Sequence, residues 1–261
     1  MKILTHVSRL LVAIIFIFSG FVKLVDPLGS AYKFQEYFGA DVLNLEFLIP
    51  YALPFSIFLI LAEIVLGVML LVGYLPKLTV WSLLAMILVF LFLTWYSAYY
   101  NKVTDCGCFG DAIPFTPWDS FIKDLVLFVF TIIIFKGRNR VESNNKQEDI
   151  VYYSIATLLV SGFAIFVTHW IFPVAFVVVL FGSMLAVKHL VKVNRGWMMG
   201  LVAFVITTLF PVYTLRYMPI KDFRPFAIGQ HLPSNMELQD GQTAPIYTVD
   251  YTMKSKSTGE E

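Results

Sequence analysis

Cysteine is nearly absent from this chain: its 261 residues contain two, Cys106 and Cys108. Two thiols are too few for a cysteine-only metal centre. The four histidines that might complete a mixed one, His6, His169, His189 and His231, all lie far from the pair in sequence, so no metal is expected. Charge is scarce as well. Only 14% of residues are charged, the net charge is +1, and no run of like charge reaches five or six residues. Such a chain is not expected to bind nucleic acid. A small-x-small cleavage site is also missing after the apolar stretch from Leu10 to Phe18. That segment therefore reads as a retained first span and not as a removed signal peptide.

What the chain has in quantity is apolar residues, 58% of the total. A bilayer core about 30 Å thick needs roughly 20 apolar residues per helix. Seven segments come near that length: 4–25, 50–73, 78–100, 118–136, 150–170, 172–190 and 197–217. The expected fold class is an all-α polytopic membrane protein of about seven transmembrane helices, with the lipid bilayer as its main partner. Short loops rich in Lys and Arg stay cytoplasmic. Lys2, Arg9, Lys77, the 136–140 loop and the 188–195 loop all fall on one side of this plan. The expected location is a bacterial inner membrane, with the N-terminus cytoplasmic and the C-terminus periplasmic. Trp95, Tyr99, Trp118, Trp170 and Tyr217 at outer ends, and Trp81 and Trp197 at inner ends, match the aromatic belts of such a bundle.

In this topology Cys106-Gly107-Cys108-Phe109-Gly110 occupies the outer loop between the third and fourth spans. Gly107 and Gly110 allow turn conformations closed to other residues and, with Phe109, shape the loop. A disulfide closing a three-residue ring contributes only about 1.6 kcal/mol of loop entropy before strain is subtracted. Strained or exposed disulfides are the more oxidising ones. Thiol–disulfide exchange therefore stands beside three plainer readings: a structural staple, a metal site, and two reduced cysteines without a role. Asp105 and Asp111 oppose a very reactive thiolate, because nearby negative charge raises a thiol pKa.

Three ionisable residues at membrane depth invite function. Glu63 lies about 20 Å into the second span, so it should face the bundle interior with a partner, as a proton relay, a cofactor contact or an interhelical hydrogen bond. Lys23, at the end of the first span, either snorkels to the interface or meets an acidic or quinone-like group. Asp124, up to two turns into the fourth helix, is a proton acceptor for the cysteine loop or simply a helix-end charge. Asp26-Pro27 stops the first helix, and Gly20 permits close helix packing. The aromatic and charged stretch 30–48 reads as a short interfacial or re-entrant helix covering the loop, or as a plain connection.

Taken as a set, several pieces resemble the DoxX and MauE-like redox-associated membrane proteins. They are Arg9 with Ser19-Gly20-Phe21-Val22-Lys23-Leu24 and Asp26-Pro27; Ala62-Glu63-Ile64-Val65-Leu66-Gly67 with Gly73; and the Cys106–Gly110 loop followed by Trp118 and Asp124. The resemblance covers the first four spans and implies a four-helix membrane bundle over 1–136, similar in plan to the vitamin K epoxide reductase family. It implies Cys106 and Cys108 as a redox pair that a quinone cofactor would reoxidise, with a thioredoxin-like periplasmic protein or an envelope complex as partner. Glu63 and Lys23 fall at family-motif positions to which the resemblance assigns no role, and as ionisable groups at membrane depth they stand as cofactor-binding candidates. The division that follows is a cytoplasmic linker 137–149, three additional spans 150–217 and an extracytoplasmic tail 218–261 that resembles a segment of longer Bacteroidetes-type relatives. Within that tail, 246–253 alternates like a strand. The expected function is a membrane thiol–disulfide oxidoreductase component supporting maturation of envelope proteins. The absence of a second cysteine pair keeps a non-catalytic scaffold open as the alternative, and transport of a small molecule is weaker still, with no clear repeat to support it.

Overall fold

The structure is a computed structural model that describes residues 2–100, 102–103, 115–166, 169–190 and 196–217. The Cys106–Gly110 loop and the 218–261 tail, with its strand-like 246–253 stretch, lie outside the described residues.

Eight α-helices account for the described chain, with no strand among the described residues: α1 Lys2–Val25, α2 Pro27–Phe38, α3 Ala52–Val72, α4 Pro76–Tyr100, α5 Pro117–Gly137, α6 Lys146–Phe166, α7 Phe172–Leu185 and α8 Gly196–Tyr217. Five are long and apolar enough to cross a membrane: α1, α3 with the preceding 3-10 turn Glu46–Tyr51, α4, α6 and α8. The other two expected spans are helical as well. The 21-residue α5 carries Asp119, Lys123 and Asp124 in its first two turns, and the 14-residue α7 is extended by a π turn, Ala186–Leu190. The chain is an all-α polytopic membrane protein.

Local chemistry sets the helix ends. Asp26 ends α1 and caps α2, its carboxylate accepting from Gly29 N–H at 3.0 Å with Pro27 in the first turn. Aspartate is a strong N-cap, and proline at the first helical position lacks only an N–H that would be orphaned anyway. Asp-Pro is thus both a stop and a restart, and the stretch 30–48 begins inside a helix. Thr116 and Pro117 do the same for α5. Asn145 and Glu148 exchange side-chain to backbone hydrogen bonds of 2.8 and 2.9 Å ahead of α6, a reciprocal capping box. Gly73 closes α3 at φ +75°, a left-handed conformation that glycine alone adopts without strain.

The core of the helical unit is built around α1, the most deeply buried of the five long apolar helices. Its Val12, Phe16, Ile17, Phe21 and Leu24 pack with Ile60, Ile64, Val68 and Leu71 of α3. Both helices come close because each offers a glycine. A Cβ on Gly20 would sit 2.5 Å from Ile64 Cγ1, and one on Gly67 would sit 3.0 Å from the Ala13 carbonyl and 2.9 Å from Ile17 Cγ1. Small residues at such crossings let dispersion contacts form where lipid offers no hydrophobic drive. Gly67→Val should therefore lower stability by about 1–3 kcal/mol, because the Ala13 backbone cannot step aside. Thermal unfolding in detergent micelles measures it, and an unchanged midpoint would show that the crossing is looser than its contacts imply. Helices α4 and α5 form one flank, and α6, α7 and α8 the other, against α1 and α3. Outward faces are apolar, for example Phe58, Leu88, Val89, Phe92 and Leu158, as lipid requires of a spanning helix.

Candidate functional site

A cleft with buried polar groups set among apolar side chains lies between α1, α3, α4 and α5, roofed by α2. Its walls are mostly apolar, Ile15, Phe16, Ile60, Leu93 and Leu127 among them. Four residues of α2, Ser30, Lys33, Phe34 and Tyr37, face it. Offsets of three (30/33 and 34/37) and four (30/34 and 33/37) place them on one helical face. The roof is pinned at its far end: Ser97 of α4 donates to Tyr37 Oη at 3.0 Å, and Tyr96 Oη donates to the Val42 carbonyl at 2.8 Å.

Two ion pairs sit in the cleft wall. Lys23 Nζ meets Glu63 Oε1 at 2.5 Å, with both side chains almost wholly buried. Ser19 donates to Glu63 Oε2 at 3.5 Å, and the Lys23 ammonium lies 5.3 Å from the Phe90 ring centre, within cation–π range. Of the two readings of Lys23, snorkelling is displaced by a contact with an acidic group. The second pair is Lys123 Nζ with Asp124 Oδ1 at 2.8 Å, while Thr94 of α4 donates to Asp124 Oδ2 at 3.2 Å. Asp124 is 2% exposed, so it is no helix-end charge in water. Burial of a carboxylate without such partners would be prohibitive, which is why each acid carries a cation.

Of the sequence-derived site residues, Glu63, Lys23 and Asp124 thus line the same cleft. Cys106, Gly107, Cys108, Phe109 and Gly110 lie outside the described residues, but their loop joins α4 to α5, the two helices that supply Thr94 and Asp124. Sequence reasoning missed Thr94, whose hydroxyl also back-bonds to the Phe90 carbonyl at 2.9 Å and so looked like ordinary helix packing. It also missed Ser30, Lys33 and Lys123. No group of three metal-ligating side chains occurs among the described residues.

A second polar assembly marks the opposite end of the bundle. Arg9, 1% exposed, donates from Nε to the Leu70 carbonyl and from Nη2 to the Leu71 carbonyl, both at 2.6 Å, and from Nη2 to Asn144 Oδ1 at 2.7 Å. Asn144 returns a bond to Leu71 O at 2.9 Å, and Lys188 reaches Asn144 O at 2.9 Å and Asp149 at 2.5 Å. Arg9 adds donors to carbonyls of the last turn of α3, where Leu70 otherwise receives only the Gly73 N–H at 3.3 Å. A Cβ on Gly73 would strike the Glu142 carbonyl and the Arg9 guanidinium, so glycine is needed there twice over.

The chain is 25% identical over 167 residues to Protein TlpB of Flavobacterium psychrophilum, an alignment covering 60% of this chain and 43% of that protein. The chain thus spans less than half the length of this curated relative. No solved structure matches. The family model of methylamine utilisation protein MauE matches residues 1–137, the four helices that enclose the cleft together with their roof, and this chain belongs to the MauE family.

Proposed function

We propose that this protein is a membrane thiol–disulfide oxidoreductase component that takes reducing equivalents from envelope thiols at Cys106 and Cys108 and passes them to a quinone. The observation that carries the reading is the shared scaffold: the helices flanking the only two cysteines also build a buried, charge-paired cleft. The Cys106–Cys108 disulfide is opened by a substrate thiolate through a mixed disulfide, and a second substrate thiol releases the oxidised product. The Cys106–Cys108 dithiol then returns to the disulfide with loss of two electrons and two protons.

The residues of the cleft fit a quinone: apolar walls suit its ring and tail, and Lys23, Lys123 and the hydroxyls supply donors for its oxygens. Such a group, when bound, supplies a sink for two electrons and two protons. Lys23 and Glu63 hold a proton within the bundle, and Asp124, fixed by Thr94 and Lys123, takes up protons on the side of the cysteine loop. In this reading α1 begins in the cytoplasm of a bacterium. Arg9, Lys77, Arg138 and Lys188 then share the inner side, and the loop faces an oxidising compartment where a thioredoxin-like protein would meet it.

The test is trapping. With Cys106→Ala or Cys108→Ala, one variant should hold an envelope protein in an adduct released by dithiothreitol, and reduced substrate proteins should accumulate in cells carrying the double variant. If neither variant forms an adduct and no reduced protein accumulates, the protein is an accessory scaffold of an envelope complex.

A further inference from the structure

The roof of the cleft carries a hydroxyl without an assignment. Ser30 is 4% exposed and lines the cleft, and its Oγ has no hydrogen-bond partner among the described residues. A buried polar atom in that state asks for a missing partner. In the wall of the same cleft, Lys23 gives one of its three N–H groups to Glu63, and among the described residues Glu63 Oε2 receives a long 3.5 Å bond from Ser19 alone. The cleft therefore has spare donors and a spare acceptor set in apolar walls, the usual make-up of a small-molecule site.

Charge narrows the occupant. Lys23 is balanced by Glu63 and Lys123 by Asp124, and Lys33 lies 3.9 Å from Glu36. Among the described residues of the wall, a phosphate or other anionic head group finds no uncompensated cation, and a cation finds no uncompensated carboxylate. A neutral ring bearing oxygens that accept hydrogen bonds and take up protons meets every feature. We infer that Ser30 and the Lys23–Glu63 pair form the head-group end of a quinone site, with Ser30 and Lys23 as donors and Glu63 as the group that exchanges a proton. This rests on the acceptor proposed above, but it concerns binding and does not require the thiols. The chemistry balances: a quinone accepting two electrons and two protons gains two O–H bonds, as the dithiol loses two S–H bonds and gains one S–S bond.

Binding is measured by calorimetric titration of decylubiquinone and of menadione into the full chain in phosphatidylcholine nanodiscs, using the Cys106→Ser, Cys108→Ser double variant beside the native protein. Saturable binding of at least one quinone, equal in both proteins, is expected. Ser30→Ala should weaken it several-fold, and Lys23→Met with Glu63→Met about tenfold or more, as the loss of one or two good hydrogen bonds predicts. Leu59→Trp, which fills the cleft while keeping every polar group, should abolish it; should that variant fail to fold, Leu93→Phe probes the same wall. Unchanged affinity in the folded variants, no saturable binding to the native protein, or displacement by phosphatidylglycerol overturns the assignment. If quinone binds as expected while the cysteine variants trap nothing, the site stands and the thiol reading falls.

Discussion

Glu63→Leu, made while Lys23 is kept, is expected to cost about 3–5 kcal/mol of stability, because it leaves an ammonium buried without its carboxylate. Lys23 is 9% exposed and Glu63 2%, so water offers the orphan little relief. Replacing both, with Lys23→Met and Glu63→Leu, should recover most of the loss, since a well-packed apolar pair often matches a buried ion pair. The double-mutant cycle, read from thermal or denaturant unfolding in bicelles, should therefore give a coupling of about 2 kcal/mol or more. Additive single effects would show that the two groups do not depend on each other, and that the cleft is wet enough to solvate either alone.

The cycle also separates structure from function. If the pair were present only for stability, the apolar double variant would fold and work. The proposed site predicts that it folds and fails, because the cleft then lacks its deep donor and its proton-exchanging group. That pair in turn depends on the helix crossing below it: Gly20 brings α1 against α3 at Ile60, Glu63 and Ile64, and Lys23 follows Gly20 by three residues on the same helix.

The spans were legible because lipid imposes a length and a composition: all seven expected segments are helical, and five of the helices meet both criteria. Glu63 was legible too, as an acid too deep to be accidental. Lys23 was not, since a lysine one turn from a helix end looks the same whether it snorkels outward or turns inward; only the close α1–α3 approach decides. The stretch after Asp26-Pro27 showed its aromatic and charged alternation, and the structure adds that Ser30, Lys33, Phe34 and Tyr37 share the face that roofs the cleft. Ser30 and Thr94 carried no signal, because a hydroxyl in an apolar helix usually bonds its own backbone and has no need of a partner elsewhere. Arg9 was read only as an inner-side charge and a motif position. Its contact with Asn144, 135 residues away, has no local trace.

Arg9→Ala should be among the most damaging single changes in the chain. It strips the donors from the Leu70 and Leu71 carbonyls at the end of α3 and from Asn144 Oδ1. Hydrogen bonds to a charged group contribute about 1.5–3 kcal/mol each, and three from one guanidinium are lost together, so a loss of about 3–5 kcal/mol is expected. Asn144 still donates to Leu71 and the Gly73 N–H to Leu70 at 3.3 Å, so each carbonyl keeps one donor while Asn144 Oδ1 loses its guanidinium. Arg9→Lys should restore little, because a point-like ammonium cannot span two carbonyls and an amide as the guanidinium fork does. Asn144→Ala should cost less and, combined with Arg9→Ala, add less than its own full effect, since the two share one network. Unfolding in detergent gives the energies, and limited proteolysis of the 137–149 segment gives the location: Arg9→Ala should speed cleavage there, because Asn144 is the point at which that segment is tied to α3. An Arg9→Ala protein that melts like the native one and keeps the segment protected would mean that α3 ends safely without its arginine. The distinction bears on the whole molecule, for Arg9 lies within the family-matched residues 1–137 while Asn144, Asp149 and Lys188 lie beyond them. The cap that finishes one helix of the family bundle is also the joint to which the additional helices are fastened.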